Sequence, residues 1–270
     1  MIQAFLSGVG LIAPGLSGWE ASRPILSGER PYSFTPFVSP SPQILPPTER
    51  RRAGGAVRLA LSVAQQAIEH ACIPASEVAT IFATADGDAE NMHALCETLA
   101  SDDRQVSPTR FHNSVQNAPS GYWTIAVGCH AGSNTISAPC GIAAQGLLEA
   151  VAQSAAERSA VMLVAYDLPM PKPLDALRST QIPCGIALLF TPEVLPSSLA
   201  RLTLGLSATA QESSLCDVAL EALRSRSDVG RLLAVLSACA RQVEGELVIE
   251  YAPSCALQVR LTPVASVSAA

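Results

Sequence analysis

Cys140 is the residue best placed for chemistry in this sequence. The run Ser133-Asn-Thr-Ile-Ser-Ala-Pro-Cys140 predicts a strand at Asn134–Ala138 that leads into the cysteine. Directly after it, Gly141-Ile-Ala-Ala-Gln-Gly-Leu-Leu-Glu-Ala150 opens a long helix of small residues that runs to Arg158. A thiol at a helix N-terminus meets the positive end of the macrodipole, which favours thiolate and so attack on an acyl group. The competing reading is a small core residue, since cysteine is often buried. Partners for a nucleophile are scarce. The chain has four histidines, His70, His93, His112 and His130, and its one lysine is Lys172, in the Pro-rich stretch Pro169–Pro173.

Two further motifs suggest chemistry and are better explained otherwise. Gly8-Val-Gly10-Leu-Ile-Ala13 fits the G-x-G-x-x-A dinucleotide pattern. That pattern needs a helix to start at once, so that its amides face the pyrophosphate. Pro14-Gly15 follows instead, and a tight turn is the expectation. Asp86-Gly-Asp88-Ala-Glu90 resembles the start of a calcium loop but carries Asn91 where such a loop needs its glycine at position 6. Asp88 capping the following helix is the simpler account. The histidines never fall at metal-ligand spacing, so no metal and no cofactor is expected.

The rest of the chain must position that thiol. Of its 270 residues 49% are hydrophobic and 15% charged, so most of it goes into packed core and disorder is excluded. A net charge of −6 gives no footprint for nucleic acid or an anionic membrane. No run approaches the roughly 18 apolar residues of a membrane span. The opening residues carry no basic region, so no secretory signal and a cytoplasmic location are expected. Eight cysteines without a CxxC pair read as reduced, mostly buried thiols.

Strands are expected at Ile2–Gly10, Val78–Ala83, Ala160–Ala165, Gly185–Phe190 and Leu202–Ser207, with a hairpin at Glu246–Glu250 and Ala256–Leu261. Helices are expected at Trp19–Leu26, from Thr48 (as cap) to Ala71, and at Ala89–Ala100, Ser114–Gly128, Ser213–Arg224 and Arg231–Arg241. Alternation of strands with helices argues for α/β architecture. The Ala- and Gly-rich helix after Cys140 suits a place enclosed between layers.

At these residues the chain resembles the β-ketoacyl-acyl-carrier-protein synthases of the thiolase-like superfamily. Leu6-Ser-Gly-Val-Gly-Leu-Ile-Ala-Pro-Gly resembles the family's opening strand and turn, Arg50–Ala71 its first Ala-rich helix, and Ile81–Glu90 its second strand. Phe111-His-Asn-Ser-Val-Gln-Asn-Ala-Pro-Ser-Gly-Tyr-Trp resembles the segment at the synthase dimer interface, and Cys140 falls on the acyl-accepting cysteine. The resemblance implies a layered αβαβα fold in one domain, 1–270. Residues 1–190 would form the ketosynthase-like half, 191–264 a shortened second half, and 265–270 a tail.

Departures from the pattern set the functional expectation. Synthases of this family pair their cysteine with two histidines and a lysine from the second half, whereas this chain has no histidine after His130 and no lysine after Lys172. Loss of such partners costs several orders of magnitude in rate. The resemblance is therefore to the chain-length-factor-type subunits of type II polyketide and aryl polyene systems, with Cys140 expected to be inactive. It implies a heterodimer with a complete ketosynthase, whose tunnel for carrier-protein-bound acyl chains this subunit shapes. Phe111 is the first candidate to project into that tunnel, with Gln116, Tyr122 and Trp123 beside it. The strand carrying Asn134 and Ile136 would pair across the interface. The alternative is a stand-alone acyltransferase or thioesterase with Cys140 as nucleophile.

Overall fold

The structure, a computed structural model, describes residues 1–177, 180–208 and 211–264. Its longest strand, β1 (Ile2–Ala13), is buried along most of its length because helices cover both faces. The short β2 (Leu16–Ser17) folds back on it. Then come α1 (Trp19–Ser27), α2 (Pro47–Arg52), α3 (Gly55–Ala71), β3 (Ala79–Ala83), α4 (Ala89–Ala100), α5 (Pro108–His112) and α6 (Ala118–Val127). The segment β4 (Ser133–Ile136), α7 (Ile142–Glu157), β5 (Val161–Asp167) carries Cys140 in its first connection. The chain continues with β6 (Cys184–Thr191), β7 (Ala200–Ala208), α8 (Val218–Arg224), α9 (Leu233–Arg241), β8 (Gly245–Ala252) and β9 (Cys255–Pro263).

The strands form one mixed sheet in the order β4-β3-β5-β6-β1-β7-β9-β8, with β2 on β1. β3 runs parallel to β4 and β5; the other pairs are antiparallel. Helix α3 covers β1, β6 and β5 on one face, and α6 packs on α3. On the other face α7 lies over β5, β1 and β3 and also touches β8, while Glu149, Ala156 and Glu157 stay exposed. Alternation along β5 divides the core: Val161, Leu163 and Ala165 belong to the α7 side, Met162, Val164 and Tyr166 to the α3 side. The outer face of β7, β9 and β8 carries exposed Arg201, Gln258, Arg260 and Glu246, so the last layer faces water.

The layered α/β architecture expected from the sequence is present, with local corrections. Thr48 is not a cap: α2 starts at Pro47, and the expected long helix is broken at Ala53, which is extended, before two glycines restart it as α3. The expected helix Ser114–Gly128 is α6, which starts only at Ala118 with Pro119 in its first turn, and a separate short helix, α5, precedes it. The strand expected at Ile2–Gly10 runs on to Ala13, with Gly8 and Gly10 inside it, and the tight turn expected at Pro14-Gly15 joins β1 to β2. A Cβ at Gly8 would overlap the Ala67 carbonyl oxygen, and one at Gly10 that of Val63, so the two glycines let α3 seat directly on the strand. The cysteines are all free but not mostly buried: Cys129, Cys184 and Cys239 are, Cys140 and Cys255 are half-buried, and Cys72, Cys96 and Cys216 are exposed. The expected tail 265–270 lies outside the described residues.

Candidate functional site

Three parallel strands, β4, β3 and β5, end on the same side of the sheet, the side where ligands meet open α/β sheets. Their ends place Ser137, Thr84 and Asp167 together: the Ser137 hydroxyl donates to the Ala85 carbonyl at 3.1 Å, and the Thr84 hydroxyl to Asp167 Oδ1 at 2.9 Å. The Ala85 N–H donates to the same oxygen at 2.9 Å. Asp167 Oδ2 is buried with no hydrogen-bond partner among the described residues. Burial raises its pKa to about 7, against the lowering effect of the two hydrogen bonds.

From Ser137 the chain turns through Cys140 into α7. Gly141 is the N-cap, at φ 70°, a left-handed conformation suited to glycine. Its Cα lies against the Tyr251 carbonyl oxygen, where a side chain would overlap. The Gln145 side-chain amide donates to the Cys140 carbonyl at 3.2 Å and to the Tyr251 carbonyl at 3.1 Å. The Ala143 N–H, at the first turn of α7, donates to Asp228 Oδ2 at 3.2 Å. Asp228 is held in turn by Arg231 Nε at 3.0 Å, and Arg231 also pairs with Glu212 and Glu250. Glu212 reaches on to Arg224, which pairs with Glu221 at 2.7 Å.

Histidines and lysine stand away from this elbow. His70 Nδ1 accepts the Val9 N–H at 3.0 Å and is structural; burial lowers its pKa. His93 pairs with Glu97 on α4. His112 packs edge-on against Tyr122. His130 is exposed ahead of β4, at the opposite end of that strand from Cys140. Lys172 is exposed. Among the described residues no group of three or more His, Cys, Asp or Glu is placed to hold a metal. Asp88 caps α4, its Oδ1 accepting the Asn91 N–H at 3.0 Å.

The interface candidates separate into three places. Phe111 and Tyr122 line an apolar groove of ≈ 810 Å³ between the start of α2, α5 and α6, with Ile44, Leu45, Val115 and Ile125. Phe111 is 69% and Ile125 84% exposed, large apolar side chains left in water. The Tyr122 hydroxyl donates to Asn113 Oδ1 at 3.1 Å, and Asn113 Nδ2 to the Arg52 carbonyl at 2.9 Å, which ties the groove walls together. Gln116 is exposed and outside the lining. Trp123 points the other way, fully buried in the α3-side core. Asn134 and Ile136 lie on β4, the edge strand, the first exposed and the second half-buried.

Sequence reasoning missed Asp228, Gln145, Tyr251 and Asp167. Only Gly141 carried a signal, as the glycine next to the cysteine.

No curated protein matches this chain. Solved structures do. A chain from the ketosynthase ApeO in complex with its chain length factor ApeC from Xenorhabdus doucetiae is 21% identical, with TM-score 0.73 over 96% of this chain and 100% of that one. A chain from a type II polyketide synthase acyl-carrier protein in complex with its ketosynthase bound to the hexaketide (AntDE:AntF) is 10% identical, with TM-score 0.75 over 97% and 99%. The ishigamide ketosynthase/chain length factor gives 12% and 0.73 over 98% and 100%. At such identities the likeness is one of fold. The family model for the N-terminal domain of β-ketoacyl synthases matches residues 29–246, a span that holds the elbow, the groove and the edge strand. The chain belongs to the β-ketoacyl synthase N-terminal domain family.

Proposed function

We propose that this chain is a non-catalytic, chain-length-factor-like subunit that pairs with a complete β-ketoacyl-acyl-carrier-protein synthase and shapes its acyl tunnel, in polyketide and specifically aryl polyene biosynthesis. The make-up of the elbow carries this reading. Around Cys140 lie a side-chain amide, a main-chain carbonyl and, at the first turn of α7, a carboxylate, and among the described residues no histidine or lysine hydrogen-bonds to this group. Acyl transfer needs a free proton acceptor and free donors for an oxyanion, whereas here the carboxylate is bound by the Ala143 N–H and Arg231 and the amide by two carbonyls.

In this reading the whole of 1–270 acts as one unit. The edge strand β4, with Asn134 and Ile136, pairs with the synthase. The groove lined by Phe111 and Tyr122 faces the acyl chain that a carrier protein delivers, with Gln116 at its rim and Trp123 holding the wall from within. No cofactor takes part, and the complex works in the cytoplasm; among the described residues no helix is long and apolar enough to cross a membrane. Co-expression with a full-length ketosynthase encoded beside it tests the reading. A stable complex that condenses malonyl units, with this chain alone inert, is the expected result. A soluble monomer that never binds the synthase overturns it.

A second reading has one observation in its favour: Cys140 is a free thiol that is half-buried rather than sealed in the core. It would then be the nucleophile of a stand-alone acyltransferase or thioesterase. Intact-mass measurement after incubation with acyl carrier substrates decides, and absence of a Cys140 adduct ends it.

A further inference from the structure

We propose that Arg50 is a positioning residue whose guanidinium holds the wall of Ile44 and Leu45 in place and so keeps the groove preformed for an apolar chain. The inference rests on the reading of the groove as the surface that faces the acyl chain, and it names the residue that maintains its shape. The two walls are built differently. One is helical: α5 and α6 present Phe111, Tyr122 and Ile125, and the hydrogen bonds from Tyr122 to Asn113 and from Asn113 to the Arg52 carbonyl fasten it to α2. The other comes from the stretch between α1 and α2, which has neither helix nor strand, so its peptide groups have no ladder to hold them.

Arg50 supplies the missing fixings. Its Nη1 donates to Gln43 Oε1 at 3.0 Å, and its Nη2 donates to the Gln43 carbonyl at 3.3 Å and the Leu45 carbonyl at 2.8 Å. All three bonds go to one short stretch, in a planar fork that a lysine cannot reproduce. Arg50 is itself held from behind by Arg58 on α3, whose Nη2 donates to the Arg50 carbonyl at 3.3 Å and whose Nε donates to the Ala53 carbonyl at 2.9 Å. Leu45 is buried in the α3-side core, whereas Ile44 is half-buried and lines the groove. Without the fork Leu45 still anchors the wall, but Ile44 and the turn around it lose their fixed position, and an entering chain must order them at a cost in affinity.

The test uses the full chain alone, with the neutral solvatochromic dye Nile red as the apolar probe. The parent should bind it with blue-shifted emission, and Ile125→Glu, on the opposite wall and 84% exposed, should abolish binding without unfolding the chain. Arg50→Met keeps the apolar stem and removes the fork; its dissociation constant should rise about three- to tenfold, with Arg50→Lys in between. Hydrogen exchange should quicken in the peptide holding residues 41–46 and not in α3 or α6. The proposal is overturned if the parent binds no dye, if binding survives Ile125→Glu, or if Arg50→Met binds within about twofold of the parent. Faster exchange spread through α3, the mark of general loosening, overturns it too. Should Arg50→Met fail to fold, Arg50→Lys decides alone, by a weaker affinity or an unchanged one. Capture of a ketosynthase by the same proteins is scored separately, so the pairing reading can fall while the dye result on Arg50 stands, and the reverse.

Discussion

Gly141 enters α7 with its Cα packed against the carbonyl oxygen of Tyr251, near the bend of the β8–β9 hairpin. The contact is backbone on backbone, and the residue sits at φ 70°. Gly141→Ala therefore meets two costs, left-handed strain of about 1–2 kcal/mol and a carbonyl that cannot rotate away. We expect a loss of at least about 2 kcal/mol in urea unfolding, with faster alkylation of Cys140 as the hairpin shifts.

Asp167 ties the ends of β3 and β5, and burial makes its carboxyl hold its proton more tightly in the native state than in the unfolded chain. Its native pKa is raised, to about 7, so its contribution is full below about pH 4 and is lost as pH rises to 7. The loss is at most about 4 kcal/mol. Unfolding midpoints measured from pH 4 to 8 should fall less steeply in Asp167→Asn than in the parent, and equal slopes would refute this.

Ser133 Oγ sits between Thr80 Oγ1 and Ser120 Oγ, 2.7 Å from each, and so pins β4 to β3 and α6. Ser133→Ala strands two hydroxyls, and we expect a cost of about 1–3 kcal/mol by chemical denaturation.

Gly121 lies inside α6 on the groove wall, and a methyl added there meets nothing within 4 Å. Gly121→Ala should stabilise the chain by about 0.5–1 kcal/mol. It also narrows the groove, so product from the complex should shorten if the tunnel reading holds; chromatography of the pigment checks this.

Phe111 leaves 69% of its surface in water. Phe111→Ala should therefore change the stability of the isolated chain by less than about 0.5 kcal/mol. As an anchor in the proposed interface it should cost about 2 kcal/mol or more in binding, read by titration calorimetry against the ketosynthase.

Element order was legible because β5 and β6 are buried on both faces and read as unbroken apolar runs. Gly8 and Gly10 were legible as part of the first strand, but the helix approach that needs them was not, since Val63 and Ala67 come from a distant part of the chain. The break between α2 and α3 was hidden among arginines and alanines that favour helix on either side. Cys140 at its elbow was found from local pattern alone. Asp228 was not, since 85 residues separate it from the Ala143 amide and only folding brings them together. Trp123 fitted either core or tunnel by type, and packing assigned it to the core.

β4 is four residues long and borders a single strand, β3, among the described residues. Its outward peptide groups are hydrated until another strand arrives. Overproduction of the chain by itself therefore invites self-pairing and clumping, and under the proposed pairing matched dosage of the two gene products becomes a demand written into the margin of the sheet.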